Sequence, residues 1–178
     1  MQIPNQFKNL IMKIYLQIVL SLLIISCTNI SEREMKINKT EEIVLKVYNA
    51  QLTGDTETFK SMLSDDFTFT LTGELDISQT YDWDGYMKMS KYFGSLLIGE
   101  IGGEFTGIIS NEDAAVVFLN GKMEGIGGKY ENDYAIRYTV NSDGKVSSIK
   151  EWLSDIQLAT QLYGQKIDGV HINPDMKF

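Results

Sequence analysis

Alternating apolar and polar residues dominate the second half of the chain and predict β-strands. In residues 130–140 every second side chain would share one face, because successive side chains of a strand point to opposite sides; these are Tyr130, Asn132, Tyr134, Ile136, Tyr138 and Val140. Further strands are predicted over 67–71, 99–110, 114–123 and 146–153. The turns between them would be Asn111-Glu112-Asp113, Gly127-Gly128 and Ser142-Asp143-Gly144, with a bulge at Gly102-Gly103.

Helical periodicity precedes these strands. Thr40 is the predicted N-cap of a first helix, which has apolar residues at positions 43, 44, 47 and 48 and ends at Gly54. Asp55 is predicted to cap a short second helix. Asp65-Asp66 is then expected to turn the chain into the first strand.

Two later helices are predicted to begin at Asp84 and Asp155, which leaves Trp83 in a loop. The order is therefore two helices, a strand, a helix, four long strands in hairpins and a last helix. Strands that follow one another through tight turns form an antiparallel sheet, and helices gathered at one end cover one of its faces. The predicted fold class is α+β, a curved antiparallel sheet wrapped as an open cone around the N-terminal helices.

The first 27 residues have the pattern of a secretory signal. Lys8 and Lys13 precede an apolar stretch over 14–25, and Ser26 precedes Cys27, the only cysteine of the chain. A cysteine directly after such a run resembles the lipobox of bacterial lipoproteins, in which the thiol receives a diacylglycerol and becomes the mature N-terminus. This resemblance implies lipidation at Cys27. A start at Met12 instead of Met1 would give a shorter signal of the same kind.

Three other interpretations of this segment are a transmembrane helix, an ordinary secretory signal and a buried core cysteine. Crossing a bilayer takes about 20 apolar residues, and the apolar stretch is shorter than that. We therefore expect a lipoprotein signal at 1–27, a polar tether at 28–39, a domain at 40–164 and a flexible tail at 165–178. The resemblance implies a bacterial cell-envelope protein anchored to a membrane, on the periplasmic side of the outer membrane or at the cell surface.

The residue inventory argues against several classes of function. The chain has 24 acidic and 16 basic residues and a formal net charge of −8, so a phosphate backbone would repel it and nucleic acid is not an expected partner. His171 is the only histidine, and Cys27 would be acylated. Histidine-based catalysis, thiolate metal sites and disulfides are therefore not expected. We expect no metal and no cofactor.

Short segments between residues 41 and 163 follow a recognisable order. They are Val47-Tyr48-Asn49-Ala50 with Gly54-Asp55, Leu63-Ser64-Asp65-Asp66-Phe67, Asp84-Gly85-Tyr86, Asn132-Asp133-Tyr134, Asp143-Gly144-Lys145-Val146 and Glu151-Trp152. In this order they resemble the nuclear transport factor 2-like superfamily, in its SnoaL-like and ketosteroid-isomerase-like branch. The resemblance implies a cone-shaped (cystatin-like) roll with a deep, mostly apolar pocket, and a possible homodimer across the outer sheet face.

Isomerases of that superfamily use an aspartate base, with a tyrosine and a protonated aspartate that hold an oxyanion. Matching the turn motifs puts these three positions at Val47, Leu71 and Ile136, which are all apolar. A different loop length would align Tyr48 or Asp133 with one of these catalytic positions. Asp133, however, lies on the polar face of its predicted strand. Steroid-isomerase chemistry is therefore not expected, and the resemblance does not by itself indicate an enzyme.

Glu151 is the candidate for other acid–base chemistry. It alternates with Ile149 and Leu153, which places a carboxyl group among apolar side chains, and burial raises the pKa of such a group. The alternative is a carboxylate at a strand end that reaches water or pairs with Lys122 or Arg137.

The pocket implied by the fold would be lined mainly by aromatic and inner-face residues, although plain core packing is the alternative for each. The predicted ligand-binding residues are Tyr48, Trp83, Tyr134, Ile136, Tyr138, Ile149 and Leu153. The first hypothesis is a lipid-anchored domain that binds a small apolar molecule. The second is an isomerase, cyclase or hydratase that uses Glu151. The third is a dimerisation or interaction module that uses the outer sheet face.

The lipid anchor gives a direct prediction. Cys27→Ser removes the thiol that would carry acyl chains, and each buried methylene of those chains contributes about 0.8 kcal/mol to membrane binding. We expect this variant to leave the membrane fraction of expressing cells, whereas the wild type and the neighbouring control Thr28→Ser remain in it. Equal membrane retention of the serine variant at position 27 would contradict lipidation.

Overall fold

The computed structural model describes residue 17 and residues 31–99 and 101–167. The predicted signal with Cys27, apart from residue 17, and the tail from residue 168 lie outside the described residues. In the part of the chain that is described, no helix has both the length and the apolar character needed to cross a bilayer.

A curved six-stranded sheet forms the frame of the fold. Its strands are β1 (Leu63–Leu71), β2 (Thr80–Tyr81), β3 (Gly102–Ser110), β4 (Ala114–Gly125), β5 (Gly128–Val140) and β6 (Val146–Trp152). The spatial order is β2-β1-β6-β5-β4-β3. Strands β3 to β6 form the predicted antiparallel meander, which confirms the α+β fold class.

One part of the predicted topology is wrong: the sheet is mixed, because β1 and β6 pair in parallel. Residue Phe69 of β1 is in register with Ile149 of β6, and Leu71 with Glu151. These strands come from opposite ends of the domain, so no turn sequence connects them and the alternation pattern contains no information about their direction. The short β2, which pairs with β1, was also absent from the prediction.

The helices pack against the inner face of this sheet and share one core with it. They are α1 (31–53), α2 (Thr56–Ser61), α3 (Trp83–Ser95) and α4 (Asp155–Gln157), which continues as a π-helix (Leu158–Leu162). Tyr48 of α1 packs on Phe105 of β3, with 6.1 Å between ring centroids. Ser110 donates a hydrogen bond to Glu41 at 2.7 Å. Helix α1 therefore runs along β3.

The predicted start of α1 at Thr40 is wrong, because residues 31–39 of the predicted tether are already helical. Thr40 is buried inside the helix and its hydroxyl donates to the Glu112 carbonyl at 2.8 Å. Residues 31–39 are rich in good helix formers, and Glu32 and Lys36 have the i,i+4 spacing that supports an exposed helix. Asp55 does cap α2 as predicted, accepting from the Thr58 N–H at 3.0 Å after Gly54 at φ +71°.

The cap of α3 is Asp82 and not Asp84, because the Asp82 carboxylate accepts from the Gly85 N–H at 2.8 Å. Trp83 is consequently the first residue of the helix instead of a loop residue. The predicted turn at Asp65-Asp66 is also wrong, since both residues lie within β1. They stand where the register with β6 shifts, so they form an exposed irregularity inside the strand.

Smaller corrections concern caps and glycines. Ser154 caps α4 instead of Asp155, whose carboxylate accepts from the Glu74 N–H at 2.7 Å. The β3 bulge lies between Phe105 and Gly107. The predicted bulge at Gly102-Gly103 is wrong, because Gly102 pairs regularly with Lys122 of β4. A Cβ at Gly102 would stand 2.7 Å from the Lys122 carbonyl oxygen, so glycine is needed there for the two strands to come close. The β4–β5 turn is Ile126-Gly127 and not Gly127-Gly128, because Gly125 pairs with Gly128.

Candidate functional site

A hollow with two lobes lies between helices α1 and α3 and the inner face of the sheet. The lobes have volumes of about 220 and 170 Å³ and share Gln51, Phe93, Ile101 and Glu151, so they are parts of one interior space. The first lobe is also lined by Phe69, Leu71, Tyr86, Met89, Ser90 and Leu153. The second is also lined by Tyr48, Leu52, Leu119, Met123, Tyr134 and Ile136.

Strand register aims Glu151 into this hollow. Glu151 of β6 is in register with Ile136 of β5 on one side and with Leu71 of β1 on the other. Directly paired residues of neighbouring strands point to the same face, and both Leu71 and Ile136 are buried. Leu71 and Ile136 are two of the three apolar positions that the isomerase motif assigned. A carboxyl group therefore stands between them instead of at either one.

The Glu151 carboxyl has no charged partner. Burial raises its pKa to about 7. Arg137 is in register with Lys150, on the opposite face, and Lys122 is exposed beside Glu104 at 4.0 Å, so neither forms the ion pair considered as an alternative. Glu151 is partly exposed, as the other form of that alternative has it. Within residues 31–99 and 101–167, no side chain or backbone N–H donates a hydrogen bond to this carboxyl. The accessible surface of Glu151 faces the hollow, because the side chain borders both lobes.

A first chain of hydrogen bonds leads from the core into the first lobe. The fully buried Tyr138 hydroxyl donates to the Gln51 carbonyl oxygen at 2.9 Å. The Gln51 amide then donates to the Tyr86 hydroxyl oxygen at 3.1 Å. The Tyr86 oxygen accepts in this chain, so its own proton is available to another partner, and the Ser90 hydroxyl of the same lobe is also hydrogen-bonded to Tyr86.

A second chain leads into the second lobe. The Ser154 N–H donates to the Asn132 carbonyl oxygen at 2.9 Å, which fixes the amide so that its nitrogen donates to the Tyr130 hydroxyl at 3.1 Å. Tyr130 and Tyr134 are joined at 2.7 Å. Either hydroxyl can be the donor of this bond, which raises the pKa of Tyr134 and lowers that of Tyr130. The chain therefore ends at Tyr134, which lines the second lobe.

The two chains thus end at Tyr86 in the first lobe and at Tyr134 in the second, and Glu151 borders both lobes. Burial raises the pKa of Tyr86, Tyr130, Tyr134 and Tyr138, and the negative charge of Glu151 raises each further. These tyrosines therefore stay neutral donors at physiological pH. Gly121 makes room for this arrangement, because a Cβ there would stand 2.7 Å from the Tyr134 ring.

The structure brings five of the predicted site residues together around the hollow: Tyr48, Tyr134, Ile136, Glu151 and Leu153. Tyr138 and Ile149 are fully buried behind its wall. Trp83 lies elsewhere, with its ring 5.1 Å below the Lys60 ammonium. That these residues bind a ligand stays a prediction.

Sequence reasoning missed Gln51 and Tyr86. Gln51 interrupts the apolar stripe of α1 four residues after Val47, and a polar residue on a core-facing stripe is the signal that could have revealed it. Tyr86 was present in the Asp84-Gly85-Tyr86 motif, but a tyrosine in the first turns of a helix carries no sign of the cavity that it faces.

A larger groove of about 490 Å³ lies outside, at the start of α3 and along β1. Asp65, Asp66, Asp82 and Asp84 line it together with Trp83 and Lys60. In the described part of the chain, no group of three or more histidine, cysteine or carboxylate side chains could hold a metal ion. We place the candidate site in the hollow, because among the described residues Glu151 there combines a raised pKa with two nearby chains of hydrogen-bonded tyrosines.

The raised pKa of Glu151 predicts how stability depends on pH. In the unfolded chain this carboxyl titrates near 4.5 and in the folded chain near 7. Between these values the folded state binds the extra proton, so this group makes the free energy of unfolding fall as pH rises from about 4.5 to about 7. Glu151→Gln removes that loss and should raise the free energy of unfolding by roughly 2 kcal/mol at pH 8.5, with little change at pH 4.5.

Urea denaturation of wild type and variant at the two pH values measures this difference. Glu124→Gln, which changes an exposed carboxylate on β4, is the control and should show no comparable gain. The same stability change at pH 4.5 and pH 8.5 would contradict a buried, partnerless carboxyl at position 151.

Comparison with known proteins supports the fold. No protein-family model and no curated protein matches the sequence. Three solved structures are similar: proteins described as nuclear transport factor 2-like from Anabaena variabilis (20% identity, 66% of this chain and 90% of that chain, TM-score 0.57), Burkholderia xenovorans (17%, 69% and 95%, 0.57) and Burkholderia pseudomallei (12%, 70% and 97%, 0.62). The last is described as of unknown function. At these identities the similarity shows the fold alone: the chain has the nuclear transport factor 2-like fold.

Proposed function

We propose that the hollow binds a small, mostly apolar molecule whose polar group meets Glu151. The observation that carries this proposal is a carboxyl without a hydrogen-bond donor among the described residues, at the junction of two largely apolar lobes that Tyr86 and Tyr134 help to line. An enclosed apolar space with a few convergent polar groups is typical of small-molecule sites. A core that served packing alone would favour an apolar side chain here, because withdrawing even a partly exposed carboxyl from water costs free energy.

The size and rim of the hollow fit such a ligand. Ligand pockets usually occupy roughly 300–1,000 Å³, and the two lobes together reach only the lower end of that range. Leu52 and Ile101 line the hollow although they are 45% and 55% exposed, so they form an apolar rim where a ligand enters. The ligand would therefore be small and mostly hydrocarbon. The predicted acyl group at Cys27 would hold this domain at a membrane of the cell envelope.

A second candidate function is acid–base catalysis by Glu151. A pKa of about 7 lets the carboxyl both take up and release a proton near neutral pH, which is the range that general acid–base catalysis uses. Tyr86 and Tyr134 would stabilise negative charge that develops on a bound oxygen. This favours proton transfer, as an isomerase, cyclase or hydratase would require.

Filling the hollow tests the binding function. Met89 lines the first lobe, so Met89→Trp should occupy part of the space, whereas Met35→Trp changes an exposed residue of α1. We expect small neutral aromatic compounds to raise the melting temperature of the wild type and of the Met35 variant, and to bind at least about tenfold more weakly to the Met89 variant. Binding that is unchanged by Met89→Trp, or absent from the wild type, would contradict the proposal.

A base-sensitive probe tests the catalytic candidate. Ring opening of 5-nitrobenzisoxazole needs only one proton to be removed from carbon, so a carboxylate in an apolar cavity accelerates it. We expect the wild-type rate to rise with pH through about 7 and Glu151→Gln to lower the rate by roughly 100-fold. Equal rates for both proteins would exclude Glu151 as a working base toward this probe, while leaving the binding proposal intact.

A further inference from the structure

We infer that the small apolar molecule bound in the hollow is a protonated organic amine, whose ammonium group pairs with the Glu151 carboxylate. This inference rests on the proposed binding function and specifies its ligand class. The charge and the aromatic rings that the two lobes present to an occupant support it.

Glu151 gives the hollow its charge. Among the described residues that line either lobe, it is the only one with a charged side chain. An apolar ligand that enters displaces water from the lobes, and the ionised carboxylate then loses part of its hydration. Such a charge is costly unless a cation pairs with it. Since the described lining contains no lysine or arginine, the ligand itself has to supply that cation.

Aromatic rings add a second attraction for a cation. Five residues that line the lobes are aromatic: Tyr48, Phe69, Tyr86, Phe93 and Tyr134. The face of such a ring attracts a positive charge within about 6 Å of its centre. A hydrogen bond between an ammonium group and a carboxylate is also roughly twice as strong as one between neutral groups. An alcohol or a ketone of the same shape has no charge and lacks both advantages, and a carboxylate would be repelled by Glu151.

The lining favours an organic cation over a metal ion. Calcium and magnesium ions take about six or more oxygen ligands, and in the described ranges no cluster of three or more carboxylate, histidine or cysteine side chains could hold a metal ion. Most of the remaining lining is hydrocarbon, which would pack on the carbon skeleton of an amine; it includes Leu71, Leu119, Met123, Ile136 and Leu153. Lobes of about 220 and 170 Å³ limit that skeleton to a small ring system.

Binding of an amine would depend on pH through Glu151 alone. Burial raises the pKa of this carboxyl to about 7, and an ammonium group would lower it, because it favours the ionised form. The other titratable groups on this side are tyrosines from α1, α3 and β5, and burial raises the pKa of each, so they stay neutral: Tyr48, Tyr86, Tyr130, Tyr134 and Tyr138. From β1, Phe69 and Leu71 bring no charge. Lys150 and Arg137 are paired on the opposite sheet face.

Four compounds with one bicyclic skeleton test the inference: 2-aminoindane, indane, 2-indanol and indane-2-carboxylate. Their binding to the purified full chain is measured by calorimetry at pH 8.5, where Glu151 is ionised, and the same titration into detergent alone is subtracted. We expect 2-aminoindane to bind roughly tenfold or more tightly than each of the other three, because only its head group pairs with the carboxylate charge.

Proton release identifies the group that the amine meets. At pH 6 most Glu151 side chains are protonated, so binding of 2-aminoindane should release close to one proton, whereas at pH 8.5 it should release almost none. Calorimetry in two buffers of different ionisation enthalpy measures this number. The affinity for 2-aminoindane should rise roughly tenfold from pH 6 to pH 8.5, and the affinity for indane should not rise with it.

A variant ties the preference to Glu151. Glu151→Gln keeps the shape of the side chain and removes its charge, so it should weaken 2-aminoindane roughly tenfold or more, abolish the proton release and leave indane unchanged. Glu124→Gln, which changes an exposed carboxylate on β4, should alter neither compound. Circular dichroism and melting temperature verify that each variant is folded, and the comparison of the four compounds on the wild type does not depend on any variant.

The outcomes separate the two proposals. Equal binding of all four compounds, or tighter binding of 2-indanol, indane or indane-2-carboxylate than of 2-aminoindane at pH 8.5, would overturn the amine inference and leave the binding function standing. Binding of 2-aminoindane that releases no proton at pH 6, or that is unchanged by Glu151→Gln, would also overturn it. If none of the four binds, the proposed binding function fails together with the inference.

Discussion

The register of β6 between β1 and β5 is the constraint on which the site depends. It pairs Glu151 with Leu71 on one side and Ile136 on the other, and so fixes the carboxyl on the inner face. A slip of one residue would move every side chain of β6 to the other face. Glu151 would then lie outside and the exposed Lys150 and Trp152 would point into the core. The cost of burying those two residues keeps the register, and the register keeps the carboxyl enclosed.

Two groups from outside the central strands hold the hydrogen-bond chains beside the hollow. Gln51 of α1 links Tyr138 to Tyr86. The backbone N–H of Ser154, at the cap of α4, fixes Asn132, which donates to Tyr130. Buried networks of this kind are stable only when every inner member is satisfied. The inner members, Tyr130 and Tyr138, are satisfied, and only the outermost hydroxyls reach the hollow.

The sequence predicted local features better than distant ones. The inner face of β5 was fully predictable, because its alternation from Tyr130 to Val140 has a period of two and all six residues are buried. Two predicted helix caps were displaced by one or two residues, because a second capping residue stands close by. Asp82 caps α3 instead of Asp84, and Ser154 caps α4 instead of Asp155. The parallel pairing of β1 with β6 was not predictable, because it joins segments that share no turn. The alternation pattern was enough to propose Glu151 and Tyr134 as inner-face residues, whereas Gln51 and Tyr86, which come from helices, were missed.

Stability alone does not account for glutamate at position 151. Its neighbours in register, Leu71 and Ile136, are apolar, and an apolar side chain of similar volume between them would avoid the cost of a buried carboxyl. The tyrosines do not remove this cost, since no described donor reaches the carboxyl. A carboxyl at the junction of two largely apolar lobes is better explained by the polar group of the proposed ligand than by packing. The three positions that the isomerase motif assigned are apolar in this chain, and the carboxyl of the hollow comes instead from β6, in register with two of them.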